Sequence, residues 1–216
     1  MTSQARSTLA VSALFILIAV LAALWLYPQL AAQTPTHWDL HGNVNGTMPR
    51  FWGAAFTPLL LLGLTLVTMI LPVVSPRHFE IAPFAPVYYL LMLAVQGVIL
   101  VIGLFMLMAG AGYAVPMPII ALCAVGVLFM VLGNYMGKLR KNFFIGIRTP
   151  WTLASDAVWE RTHRLGGWVF VLAGLLLVLG AIVRAPSWVP VVVLILAVLI
   201  PCAYSYVIYR QSTGVD

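Results

Sequence analysis

Residues 86–109 read PVYYLLMLAVQGVILVIGLFMLMA, a run without a single Asp, Glu, Lys or Arg. A helix needs about 20 such residues to cross the ~30 Å hydrocarbon layer of a bilayer, and irregular backbone is not tolerated against lipid. The run therefore reads as one spanning helix. Five further blocks repeat the pattern, from about Thr8 to Tyr27, Gly53 to Leu71, Pro118 to Met136, Gly166 to Val183 and Trp188 to Tyr209. Pro28, Pro72, Pro86, Pro118 and Pro190 fall at or near the edges of these blocks, where a missing N–H matters least. The expected fold is all-α: a polytopic integral membrane helical bundle of about six transmembrane helices.

Composition supports the same conclusion. Hydrophobic residues make up 63% of the 216 and charged residues only 7%, a ratio that polar surface could not cover in a water-soluble globule of this size. The formal charge of +6 does not point to direct binding of nucleic acid, because the basic residues sit in short loops between apolar blocks, where they orient helices. Cys123 and Cys202 lie inside apolar blocks, so no disulfide framework is legible. The run from Ser7 to Tyr27 is long enough to span and lacks a small-residue cleavage site, and is read as an uncleaved first helix.

Basic residues in short loops are retained in the cytoplasm. With the N-terminus inside, Arg6, Arg77, Lys138, Arg140, Lys141, Arg148, Arg161, Arg164 and Arg210 are cytoplasmic, and only Arg50 and Arg184 face out. The expected topology is N-in/C-in. Trp25, Tyr27, Trp52, Trp168, Trp188 and Tyr209 then fall near the two interfaces, where amphipathic rings are enriched.

Two connections are longer than turns require: an external loop from Pro28 to Arg50 and a cytoplasmic stretch from Lys138 to Arg164. They suggest a division into an N-terminal two-helix unit, residues 1–84, and a four-helix unit, residues 85–216, carrying the cytoplasmic motif 133–164. In the external loop His37, Asp39 and His41 stand close together, Gly42 permits positive φ, and Asn45-Gly46 is a turn signal. Two His and one carboxylate are weak candidates for a metal site. The competing reading is a hydrogen-bonded structural loop.

The cytoplasmic stretch has three parts. Lys138, Arg140 and Lys141 follow the fourth span, the ordinary place for orientation charges and headgroup contacts. Asn142 to Trp151 mixes aromatic and aliphatic residues that must bury against headgroups or the bundle, as a re-entrant or interface-hugging segment. Thr152 or Ser155 can cap a short amphipathic helix starting at Asp156, with Asp156, Glu160 and His163 sharing a face and Trp159 pointing elsewhere. That face could bind a cation or relay protons. The alternative pairs Glu160 with Arg164 at i, i+4 and leaves His163 hydrogen-bonded at the interface.

Gly133-Asn134-Tyr135-Met136, then Lys141-Asn142-Phe143-Phe144-Ile145-Gly146-Ile147-Arg148-Thr149-Pro150-Trp151-Thr152-Leu153, then Val158-Trp159-Glu160-Arg161-Thr162-His163-Arg164 together resemble the motif of the SdpI-type bacterial immunity membrane proteins. The first span with Pro35-Thr36-His37-Trp38-Asp39-Leu40-His41-Gly42 resembles the small domain of unknown function that often precedes it. The resemblance implies a six-helix, non-enzymatic protein of the bacterial cytoplasmic membrane that gives immunity against a secreted peptide toxin. In signalling members it also implies retention of a cognate cytoplasmic repressor. No cofactor is expected from the sequence. Carried over by position, Asn134, Asn142, Gly146, Arg148, Thr149, Pro150, Trp151, Trp159, His163 and Arg164 form the functional core, with Glu160 beside them and His37 and Gly42 as the external counterpart. Trp38 and His41 fall outside the usual pattern. Two other functions compete: a transporter or lipid-handling protein, suggested by Gln96 in the third span and Asn134 near a helix end, and a membrane metalloenzyme built on His37, Asp39 and His41 or on Asp156, Glu160 and His163.

Overall fold

A computed structural model describes residues 2–76 and 80–213. Among them are seven helices: α1 (Ser3–Leu26), α2 (Arg50–Val74), α3 (Ala85–Gly110), α4 (Met117–Met136), α5 (Pro150–Ala154), α6 (Asp156–Ile182) and α7 (Trp188–Thr213). An antiparallel hairpin, β1 (Gln33–Trp38) and β2 (Val44–Pro49), separates α1 from α2. All helices but α5 are long and apolar enough to cross a membrane, which makes six candidate spans. Large apolar side chains such as Leu24, Leu66, Val73, Leu172 and Leu199 face outward along them. In water that surface would drive aggregation, whereas in a bilayer it is the solvated face. The chain is a multi-pass membrane protein in contact with lipid.

The blocks named from sequence all recur, with longer ends. Thr2 caps α1, its Oγ1 accepting from the Ala5 N–H at 3.2 Å. The short helix expected from Asp156 is not a separate element: it continues without a break into the fifth span as α6. Gly166-Gly167 does not interrupt it, because both glycines lie at close contacts instead of in a turn. Arg77, one of the nine residues assigned to the cytoplasm, lies outside the described residues.

Small residues set the tightest packing. A Cβ on Gly133 would sit 2.5 Å from the Gly167 carbonyl oxygen, and one on Gly126 would sit 2.7 Å from that of Gly174. Both pairs lie along one antiparallel seam between α4 and α6, about two turns apart. Close backbone approach at small residues is the usual way for helices to associate without a hydrophobic force between them.

At one end of the bundle the hairpin is tied down by its own backbone. Ala31 donates to the Gly110 carbonyl at 3.0 Å and Arg50 to that of Ala32 at 3.0 Å. Thr34 is fully buried, and a Cβ on Gly53 or Gly110 would strike it at 2.7 or 2.6 Å. At the opposite end the largest core cluster joins Ala5 of α1 and Tyr88, Tyr89 and Met92 of α3 to Met136, Leu139 and Trp159. Phe144, Ile145, Ile147 and Leu153 pack on it. Six spans return the chain to its starting side, so Thr2 and the end of α7 share this end with the connection between α4 and α6.

Candidate functional site

Residues 137–155 fold into a compact lobe on the ends of α4, α6 and α7. Its organiser is Asn142, which is fully buried. Its Oδ1 accepts from the N–H groups of Phe144 and Ile145, both at 2.8 Å, and its Nδ2 donates to the carbonyls of Arg140 at 2.9 Å and Ile145 at 3.0 Å. One amide thus replaces the hydrogen bonds that a helix or sheet would give this backbone. The stretch from Asn142 to Trp151 is therefore a folded wall of the lobe, with Phe144, Ile145 and Ile147 packed on the core cluster at this end of the bundle. Its aromatic Phe143 points out, half exposed, as do Arg148 and Pro150.

Gly146 has φ +106°, a region that L side chains rarely adopt, and a Cβ there would meet His163 Nε2 at 2.5 Å. That nitrogen accepts from the Ile147 N–H at 3.0 Å, and Nδ1 donates to the Trp159 carbonyl at 2.8 Å. These two partners fix the ring as the Nδ1–H tautomer. His163 is buried and its ring is stacked on Trp159 at 3.9 Å. Trp159 is itself buried and donates from Nε1 to the Leu139 carbonyl at 2.8 Å. The two residues share an inward face of α6, contrary to the expectation that Trp159 points elsewhere, because positions i and i+4 are neighbours on a helix.

Thr149 and Thr152 form a reciprocal capping box for α5: the Thr152 N–H donates to Thr149 Oγ1 at 3.2 Å and the Thr149 N–H to Thr152 Oγ1 at 2.9 Å. Pro150 occupies the first turn of α5, where its fixed φ suits the helix. Thr149 Oγ1 lies 3.0 Å from Ser205 Oγ, and Trp151 packs against Tyr206 with centroids 5.0 Å apart, so both contacts reach α7. Ser155 caps α6, accepting from the Val158 N–H at 3.4 Å.

The charges lie outside this core. Asp156 and Glu160 are exposed on α6 while His163 points inward, so the three do not form one polar face. Glu160 pairs with Arg140 at 3.8 Å instead of with Arg164, and Asp156 pairs with Lys141 at 2.6 Å. The connection folds back over the start of α6, which brings its cations nearer than the i+4 arginine. Arg148 is exposed and donates to the Phe143 carbonyl. Asn134 and Arg164 line a smaller cleft of about 230 Å³ with Trp168.

At the other end, His37 Nδ1 lies 2.5 Å from Asn45 Oδ1. Asp39 Oδ1 accepts from the N–H groups of His41 at 2.8 Å and Asn43 at 2.9 Å, and Oδ2 accepts from Asn43 Nδ2 at 3.0 Å. The chain reverses at Leu40 to Gly42, where Gly42 has φ +89°, whereas Asn45-Gly46 lies within β2 and not in the turn expected of it. The register slips beside His37, and this bulge absorbs Gly46 into the strand. His37 is tied to Asn45, while Asp39 and His41 meet only through the His41 backbone N–H. Among the described residues no three His, Cys, Asp or Glu side chains come together to hold a metal ion, so neither candidate metal set converges.

The hydrogen bonds from the Asn43 side chain and backbone hold the Asp39 carboxyl below its ordinary value of 3.8. A depressed carboxylate stabilises the fold above that value, and the contribution is lost as pH falls through the depressed one. Acidification below about pH 4 will therefore lower the protection of the His41 and Asn43 amides relative to their intrinsic exchange rates, and Asp39→Asn will abolish that pH dependence.

Sequence reasoning missed Ser205 and Thr34. Ser205 could have been found as a polar residue in the sixth span, a few positions from the end of the bundle that carries the motif. Gln96 is fully buried, with Thr65 and Thr68 3.4 Å from its amide, the arrangement of an interhelical hydrogen bond. Both His163 nitrogens are occupied by backbone, and the Thr149–Ser205 hydroxyl pair has no base among its partners.

These features define a polytopic helical membrane protein with a hairpin at one end and a packed, cation-rimmed lobe at the other. Residues 138–205 match the SdpI/YfhL protein family, and residues 14–62 match a domain of unknown function (DUF1648). Over 207 residues the chain is 25% identical to the immunity protein SdpI of Bacillus subtilis (strain 168), covering 94% of this chain and 97% of that relative. The chain resembles that immunity protein over nearly its whole length, as its motifs suggest. The first match spans the lobe from Lys138 through Ser205, and the second spans the hairpin. No solved structure matches the chain.

Proposed function

We propose that this protein is a non-enzymatic immunity protein of the bacterial cytoplasmic membrane that protects its cell from a secreted peptide toxin. The observation that carries the reading is the lobe formed by the motif, in which Asn142, Thr149, Thr152, Trp159 and His163 are buried and hydrogen-bonded while Arg148, Glu160 and Arg164 remain outside. Buried groups that are all satisfied shape a surface, and exposed charges on that surface select a partner. The similarity to an immunity protein over nearly the whole length supports the biological context. The surplus of cations at this end supports a cytoplasmic lobe and an external hairpin.

In this reading the hairpin end meets the toxin, and the lobe retains a cognate repressor at the membrane when toxin is present. Cells sensitive to the toxin will regain resistance when they express this chain. Arg148→Ala will remove that resistance with membrane insertion intact, because the guanidinium is exposed and its loss empties no core position. His163→Ala will remove it with partial unfolding of the lobe, since the Ile147 N–H loses its acceptor. Full resistance in both variants would exclude the lobe from the mechanism.

A further inference from the structure

The bundle opens twice along α3. At the end carrying the lobe, a cavity of about 880 Å³ is bounded by Val87 of α3, Lys138 just past α4, and Arg140, Lys141 and Arg164. Its acidic members, Asp156 and Glu160, are paired with Lys141 and Arg140. Lys138, which lies over the Tyr135 ring at 4.6 Å, and Arg164 have no carboxylate at ion-pair distance among the described residues. Positive charge therefore exceeds negative at this mouth.

Nearer the middle of the same two helices lies an apolar groove of about 590 Å³, bounded by Ala94 and Val101 of α3 and by Ala124 and Val131 of α4. Val87 and Ala94 are seven residues apart on α3, so the cavity wall and the groove wall lie on one face of that helix, while Val131 stands near the end of α4 and Lys138 two residues beyond it. Seven residues are two turns, or about 10 Å of rise. A basic mouth and an apolar groove thus lie about two helical turns apart along one face of α3, a separation that one amphiphile can bridge.

We infer that the α3–α4 seam is a binding site for an anionic phospholipid, with its phosphate between Lys138 and Arg164 and an acyl chain along Ala94, Val101, Ala124 and Val131. A zwitterionic lipid fits the groove equally well but carries a cation into a mouth that already has an excess of them. A free phosphate fits the mouth and leaves the groove empty. The bound lipid would brace α3 against α4, beside the seam that α4 makes with α6 and under the lobe. This site does not depend on toxin, and its failure would leave the immunity reading standing.

The test uses the full chain in nanodiscs containing equal amounts of dioleoyl phosphatidylglycerol and dioleoyl phosphatidylcholine, with retained lipid counted by native mass spectrometry. Two unpaired cations near the membrane surface predict a preference for phosphatidylglycerol of about thirtyfold. Lys138→Gln with Arg164→Gln will bring the ratio to parity without lowering the melting temperature, because both side chains are exposed. Ala124→Phe, which fills the groove, will reduce retention of both lipids. Glycerol phosphate added in excess will displace neither. Parity in the unmodified protein, an unchanged ratio in the double variant, or displacement by glycerol phosphate would each overturn the assignment.

Discussion

Replacing Asn142 with alanine will unfold the lobe while leaving the six spans in the membrane. The side chain is fully buried and makes four hydrogen bonds to backbone, at 2.8 to 3.0 Å. Alanine leaves two N–H groups and two carbonyls without that partner, and each buried unsatisfied group costs roughly 1–3 kcal/mol. Even if entering water recovers half of these bonds, the loss is on the order of 3 kcal/mol or more, a large share of the ~5–15 kcal/mol that holds a domain together. Hydrogen exchange will show Phe144 to Ile147 losing protection. Proteolysis will cut the connection between α4 and α5, whereas in Arg148→Ala it will stay resistant. An Asn142→Ala protein with native protection there would mean that the amide network does not organise the lobe.

The second large effect is expected at Gly133. A leucine there must place its Cβ where the Gly167 carbonyl oxygen now stands 2.5 Å away, with Val171 backbone and side-chain atoms at 2.8 and 2.9 Å. Two helix backbones cannot yield as a flexible side chain can, so α4 and α6 must separate. Overpacking of this kind costs roughly 1–3 kcal/mol before the remaining seam is counted. Separation also moves Met136 and Trp159, which belong to one core cluster under the lobe. Gly63→Leu is the matched control, because a Cβ at Gly63 meets nothing within 4 Å. Melting in mild detergent will fall sharply for the first substitution and barely for the second.

The spanning helices were legible because lipid imposes a length and a composition that no other solvent does. Their ends were less so, since α1 and α6 extend past the hydrocarbon layer on hydrogen-bonding caps at Thr2 and Ser155. The hairpin was hidden: Pro35, Gly42 and Gly46 read as punctuation, and a bulge beside His37 carries Asn45-Gly46 into β2. Helical spacing placed Asp156, Glu160 and His163 near one another, but spacing gives relative azimuth and does not say which side meets the core. Gly146 settles that question in three dimensions, because its missing side chain makes the room that His163 fills. The pairing of Glu160 with Arg140 was equally out of reach, since it depends on how the connection folds back. The glycines at 126, 133, 167 and 174 were visible as residues, while their opposition across one seam needed the antiparallel register of two helices.

The proposed topology, with the lobe and the hairpin on opposite sides of the membrane, can be read with single cysteines. In a chain with Cys123 and Cys202 changed to alanine, Asn43→Cys at the hairpin and Glu160→Cys at the lobe will be treated with a membrane-impermeant maleimide. The hairpin position will label in intact cells, and the lobe position will label only after the membrane is opened. Labelling of both positions in intact cells would place the two elements on one side of the bilayer and contradict the account.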